Sequence, residues 1–177
     1  MTTSVLRLTT PRNISSIQRF ARQTLAALEQ DYPDASTELA FSSPYQLLVA
    51  TILSTQSTDK RANRLASELF KQFPNAHALS CAKTREVQTL IRSTGCLLIK
   101  ARALVRMVSA LVENHRGEVP TTMKSLTALP GVGRKTASVL LGHAFNTPGF
   151  PVDRHVLRVS NRLDLVQTSD PTRRDND

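Results

Sequence analysis

Acidic side chains are scarce in this chain, and none appears before Glu29. Fourteen Asp and Glu stand against 23 Lys and Arg among 177 residues, a formal net charge of +9. That imbalance favours a polyanionic partner, bound with release of phosphate counterions. Basic charge kept only for solubility is the competing explanation. Cysteine is equally sparse. Cys81 and Cys96 are the only two, and they form no C-x-x-C pair. This excludes the cysteine spacings of metal and redox motifs and leaves two idle thiols in a reducing compartment. No apolar run is long enough to span a bilayer, and the N-terminus lacks a signal-peptide core. The acid-free, Arg/Ser/Thr-rich start has the composition of an organelle transit peptide, but helical spacing within it favours an ordinary helix. No internal repeat is present.

No alternating strand pattern occurs either, and the periodicity is helical almost throughout. A chain of this length makes one domain, or one and a fraction, and can bury about 70% of its unfolded surface. Ile17, Ala21, Leu25 and Leu28 share one face of a first helix that ends near Pro33. Ser43, Pro44 and Gln46 read as a capping box with proline at the first helical position. The stretch that follows, YQLLVATIL, is apolar on nearly every side and belongs at the centre of a bundle. Ala62, Leu65, Ala66, Leu69, Phe70 and Phe73 form an amphipathic stripe before Pro74. Val87, Leu90 and Ile91 mark a shorter helix that Gly95 can cap. Further helices follow at Leu104–Leu111, Met123–Leu129, Ala137–Ala144 and Val156–Leu163. The fold class is all-α.

The sequence LPGVGRKTA at 129–137 joins two of these helices through Pro130, Gly131, Val132 and Gly133. Two glycines give access to positive φ and to close backbone approach. Successive N–H groups of such a turn, with those opening the next helix, make an anion nest. Arg134 adds charge. Contacts of this kind grip phosphates and read no bases. Lys135 is puzzling, because the positive end of a helix disfavours a cation. It is either a second phosphate clamp or a nucleophile. A lysine titrates near 10.4, so attack at neutral pH requires a downward shift of about 3 units, or about 4 kcal/mol. The helix end contributes only about 0.3–1 kcal/mol, so burial in a closed cleft is expected to supply most of it. In PVDRHVLRV, Asp153 stands where an acidic N-cap is ordinary. Beside an activated lysine it can also accept the amine's proton.

LPGVGRKTA followed by VDRHVLRVSNRL resembles the endonuclease III branch of the helix-hairpin-helix DNA glycosylases. The likeness starts at FSSPYQLLVATILSTQSTD and continues through HRGEVPTTMKSL to about Val166. It implies a bifunctional enzyme of base excision repair that removes oxidised pyrimidines from duplex DNA. The damaged nucleotide is flipped from the stack. Lys135 matches the residue that attacks C1′ and forms a Schiff base, from which β-elimination cuts the strand. Asp153 matches its assistant, and Gln56 matches a residue that fills the gap left by the flipped nucleotide. Gly131, Val132, Gly133, Arg134 and Thr136 match the backbone-gripping hairpin. Relatives that remove adenine lack the lysine.

The resemblance also implies an organisation. Residues 1–40 form an N-terminal segment with the first helix, 41–147 a six-helix domain with the hairpin, 148–166 the start of a second domain, and 167–177 a disordered tail. Family members continue through four closely spaced cysteines that hold a [4Fe-4S] cluster. The chain is expected to stop before them, to hold no cofactor or metal itself, and to expose apolar surface near residues 14–30 and 152–166. Cys96 replaces a larger apolar wedge residue after Gly95, and Arg154 replaces a small hydroxyl residue. The expected partner is double-stranded DNA with oxidised pyrimidines or abasic sites, engaged by a monomer away from membranes. The expected compartment is the bacterial cytoplasm and nucleoid, or the nucleus or mitochondrion of a eukaryote. A non-catalytic hairpin module or inactive fragment is the alternative; a hairpin used for protein contacts would show no DNA affinity.

Overall fold

A computed structural model describes residues 14–92, 97–147 and 150–170. Among them the chain forms α1 (Ile14–Asp31), α2 (Pro44–Ser54), α3 (Asp59–Gln72), α4 (Ala76–Ser80), α5 (Thr84–Leu90), α6 (Leu97–His115), α7 (Met123–Thr127), α8 (Arg134–Phe145) and α9 (Arg154–Arg162). No strand occurs among the described residues, as the periodicity implied. Two compact units result. Thr37–Pro151 is one, and Met1–Ser36 with Val152–Asp177 is the other.

In the larger unit α2 is the centre. Ser43 caps it, its side chain accepting from the Gln46 N–H at 3.2 Å, and Pro44 occupies the first turn. The reciprocal half of the box differs from expectation. Gln46 Oε1 accepts from the N–H and the hydroxyl of Ser42, both at 2.9 Å, rather than from Ser43. Tyr45, Leu47, Leu48, Val49, Ala50, Ile52 and Leu53 are all buried. Helices α3, α6 and α8 pack around them, α4 and α5 pack on α6, and α7 packs on α8. Each fully buried leucine of that set contributes about 1.5–3 kcal/mol of burial free energy.

Asn75 starts α4, its side chain accepting from the Ala78 N–H at 2.9 Å. The sequence reading missed this helix, because five residues are too few to show a period. Ile91, not Gly95, caps α5; Gly95 and Cys96 lie outside the described residues. Helix α8 ends at Asn146 in the left-handed conformation, a residue that tolerates it.

In the smaller unit, α1 and α9 bury no residue fully. On the apolar stripe of α1, Leu25 is 60% and Leu28 48% exposed. Ile14, Tyr32 and Val159 are exposed as well, so apolar surface stands open over both expected stretches. Asn161 ties down part of the presumed tail. Its side-chain N–H group donates to Thr168 O at 3.0 Å, and its Oδ1 accepts from Thr168 N–H at 3.2 Å.

One residue of the core is imperfect. Tyr45 packs its ring against Phe70, with centroids 5.9 Å apart, but its hydroxyl is buried without a hydrogen-bond partner. Burial also pushes its ionisation well above the usual tyrosine value. Stability therefore falls as pH rises above about 10, because the unfolded chain ionises there while the buried phenol does not. Replacing a solitary buried hydroxyl by hydrogen removes a desolvation cost of about 1 kcal/mol. Tyr45→Phe is expected to raise the melting temperature by about 2–4 °C and to flatten the alkaline loss of stability. Thermal melts at pH 7 and above pH 10 check both.

Candidate functional site

The hairpin lies wholly in the larger unit. Helix α7 is capped by Thr122, whose hydroxyl accepts from the Ser125 N–H at 3.2 Å. The chain turns after Leu129, Val132 N–H donating to Leu129 O at 3.1 Å. Leu129 and Val132 are buried and anchor the turn from beneath. The two glycines have different reasons to be glycine. Gly131 has φ +80, a left-handed conformation that costs other residues about 1–2 kcal/mol. Gly133 does not share it. It is the extended N-cap of α8, with φ −90 and ψ 173, a conformation open to any residue. A Cβ built on Gly133 would meet no protein atom within 4 Å. Nothing inside the protein requires glycine there. Its bareness keeps open space above the helix end, and it brings no cap oxygen of its own.

Arg134 and Lys135 follow in the first turn, both exposed, and Thr136 is half-buried. Lys135 is exposed, so the larger unit by itself does not bury it as the sequence led us to expect.

Gln56 is exposed, three residues beyond Leu53 at the end of α2. It has φ +56, rare for a residue other than glycine. Thr55 has φ −54 and ψ 118, and Ser57 N–H donates to Ser54 O at 2.9 Å. The pattern is a type II turn with glutamine at the position that glycine usually takes. Such strain, of order 1–3 kcal/mol, concentrates at functional sites.

Lys100 went unnoticed in the sequence. It is 5% exposed, and its Nζ donates to Leu53 O at 3.1 Å. A cation there suits the negative end of α2, just ahead of the Gln56 turn. The available signal was its register. Lys100 falls on the stripe of Leu104, Met107, Val108 and Leu111, where an apolar residue is the usual choice.

Asp153 belongs to the smaller unit and caps α9. Its Oδ1 accepts from the N–H groups of His155 and Val156, both at 2.9 Å. The capping role is thus realised, and it occupies that oxygen.

A four-iron cluster needs four thiolates. The sequence holds two cysteines; Cys81 is exposed at the C-cap of α4, and Cys96 lies outside the described residues. Among the described residues no group of three His, Cys, Asp or Glu could hold a metal. The residues present do not fit the cluster, and no chemical step is drawn through it. Nor is any described helix long and apolar enough to cross a membrane.

Known proteins share this arrangement. The pattern defining the HhH-GPD superfamily of base excision DNA repair proteins matches residues 49–176. Endonuclease III of Synechocystis is 44% identical over 167 residues, 94% of this chain and 76% of its own. That of Escherichia coli is 41% identical over 144 residues, 81% of this chain and 68% of its own. A trapped covalent endonuclease III–DNA intermediate superposes with a TM-score of 0.81 at 38% identity, covering 87% of this chain and 72% of the other. The protein is therefore a helix-hairpin-helix enzyme of base excision repair, a DNA glycosylase with AP lyase activity. It belongs to the endonuclease III family.

The two glycines separate structure from binding. Gly131→Ala should cost about 1–2 kcal/mol of stability, through its φ. Gly133→Ala should change stability by less than about 1 kcal/mol, since the added methyl meets nothing and alanine is only a weaker cap. Its DNA affinity should nevertheless fall, because the methyl enters the space a phosphate needs. Melting curves and a DNA titration on the same two variants check the contrast.

Proposed function

We propose that this chain excises oxidised pyrimidines from duplex DNA and cuts the strand at the resulting abasic site, with Lys135 as nucleophile. The observation that carries the reading is the bare N-cap of α8 at Gly133, with Lys135 two residues beyond it. A phosphate seated against the first turn of α8 and the Gly131–Gly133 turn brings a sugar next to the Lys135 amine. The neighbouring duplex then covers an exposed side chain and supplies desolvation. The trapped covalent complex of a relative 38% identical supports the same chemistry here.

The reaction proceeds as follows. Neutral Nζ attacks C1′ while the C1′–N bond breaks, and the base leaves with that electron pair. Asp153 takes one amine proton and passes it to the departing base. Opening of the C1′–O4′ bond, with uptake of a proton at O4′, gives the protonated Schiff base. Loss of a C2′ proton then expels the 3′ phosphate. Gln56, held ready in its strained turn, occupies the space vacated by the flipped nucleotide. Arg134 and Thr136 steady the backbone with Gly131, Val132 and Gly133. The protein acts as a monomer on chromosomal DNA, in the cytoplasm and nucleoid of a bacterial cell.

Borohydride reduction of the imine tests this directly. The unaltered chain should form a covalent adduct with DNA carrying thymine glycol or an abasic site, and Lys135→Ala should form none. DNA binding without any adduct from the unaltered chain would overturn the enzymatic role of Lys135. Asp153→Asn isolates the carboxylate's charge from its capping bonds, because asparagine caps as well as aspartate. Its melting temperature should stay within about 2 °C of the parent. Its rate of adduct formation should drop at least about tenfold, within the range general-base catalysis spans.

A further inference from the structure

The face of α6 that looks away from the core carries charge the catalytic reading does not use. Ile99, Arg102, Ala103 and Arg106 line an open groove of about 260 Å³ whose other wall is Pro130 and Gly131 of the hairpin turn. Their spacing of three, four and seven residues puts all four side chains on one helical face. The turn is seated on this face. A Cβ at Gly131 would lie 3.6 Å from the Ala103 methyl, with an arginine on the same face to either side in sequence. Arg102 and Arg106 are both exposed. They stand four apart, where like charges repel, and the first acid of α6 is Glu113. Among the described residues no carboxylate lines the groove. Two guanidiniums kept together without an acid, beside a turn that presents backbone N–H groups, form a site for consecutive phosphates. Lys100, one residue along and directed into the core, pins this part of α6 to the end of α2.

We propose that Arg102 and Arg106 form a second phosphate-binding site, continuous with the hairpin, that grips the duplex backbone beyond the phosphate held by Gly131 and Gly133. The proposal rests on the reading of the hairpin as the DNA-binding element. It extends the footprint from one helix end to a track along α6. Ile99, 70% exposed at the rim, lies against the sugar edge of the same strand.

The test is the salt dependence of binding to an abasic duplex, measured by anisotropy for the full chain. Each phosphate neutralised contributes about 0.9 to the slope of log K against log salt. Arg102→Ala/Arg106→Ala should lower the slope by about two, with an unchanged melting curve. Arg85→Ala/Arg92→Ala removes the same charge from a separate groove along α5 and the turn after it, and should leave the slope within about half a unit. An unchanged slope in the first variant, or an equal fall in both, overturns the proposal. Borohydride trapping of the unaltered chain is run in parallel. Adduct formation with an unchanged slope in the first variant sinks the groove and spares the enzyme. The predicted slope change without any adduct sinks the enzyme and spares the groove. No binding by the unaltered chain sinks both.

Discussion

Almost every side chain of α2 is withdrawn from water, and the rest of the larger unit is arranged to keep it so. A helix apolar all round can exist only under cover. Helices α3, α6 and α8 are that cover, and their own apolar faces are fixed by the requirement. The site inherits its geometry from this packing. Helix α8 carries the hairpin at its N-terminus, α2 ends in the Gln56 turn, and α6 sends Lys100 to the Leu53 carbonyl. None of these groups sits on a free loop of its own.

The electrostatics divide along the same lines. The positive end of α8 carries a glycine cap without an oxygen and two cations, a choice that weakens the helix locally. The negative end of α2 receives a buried cation, a choice that strengthens it. Stability is therefore spent at the helix end proposed to receive a phosphate and recovered where the scaffold must hold still. The Asp153 carboxylate serves the scaffold in the same way, closing the first turn of α9 with two backbone bonds.

Much of this was legible in the sequence, and the exceptions have physical reasons. The YQLLVATIL run, the Ser43–Pro44 start and the LPGVGRKTA turn each bear a local signature that the structure follows. Which of the two hairpin glycines takes the positive φ was not legible, because the residue type alone does not reveal whether φ or open space calls for it. Helix α4 was too short to show a period. Lys100 was hidden because its partner, Leu53 O, is 47 positions away. The stripes on α1 and α9 were read correctly as apolar faces, but periodicity says nothing of what covers them, and Leu25 and Val159 stand exposed. The wedge position at Cys96 lies outside the described residues.

The backbone at Gln56 carries one more implication. A left-handed glutamine in a type II turn is a conformation that the fold alone would trade away for glycine. Drift under selection for foldability therefore leads toward losing that amide, and only a task beyond folding, such as the gap-filling proposed above, leads toward keeping it. A lineage in which that task lapsed should surrender this position early, well before its hydrophobic interior begins to erode.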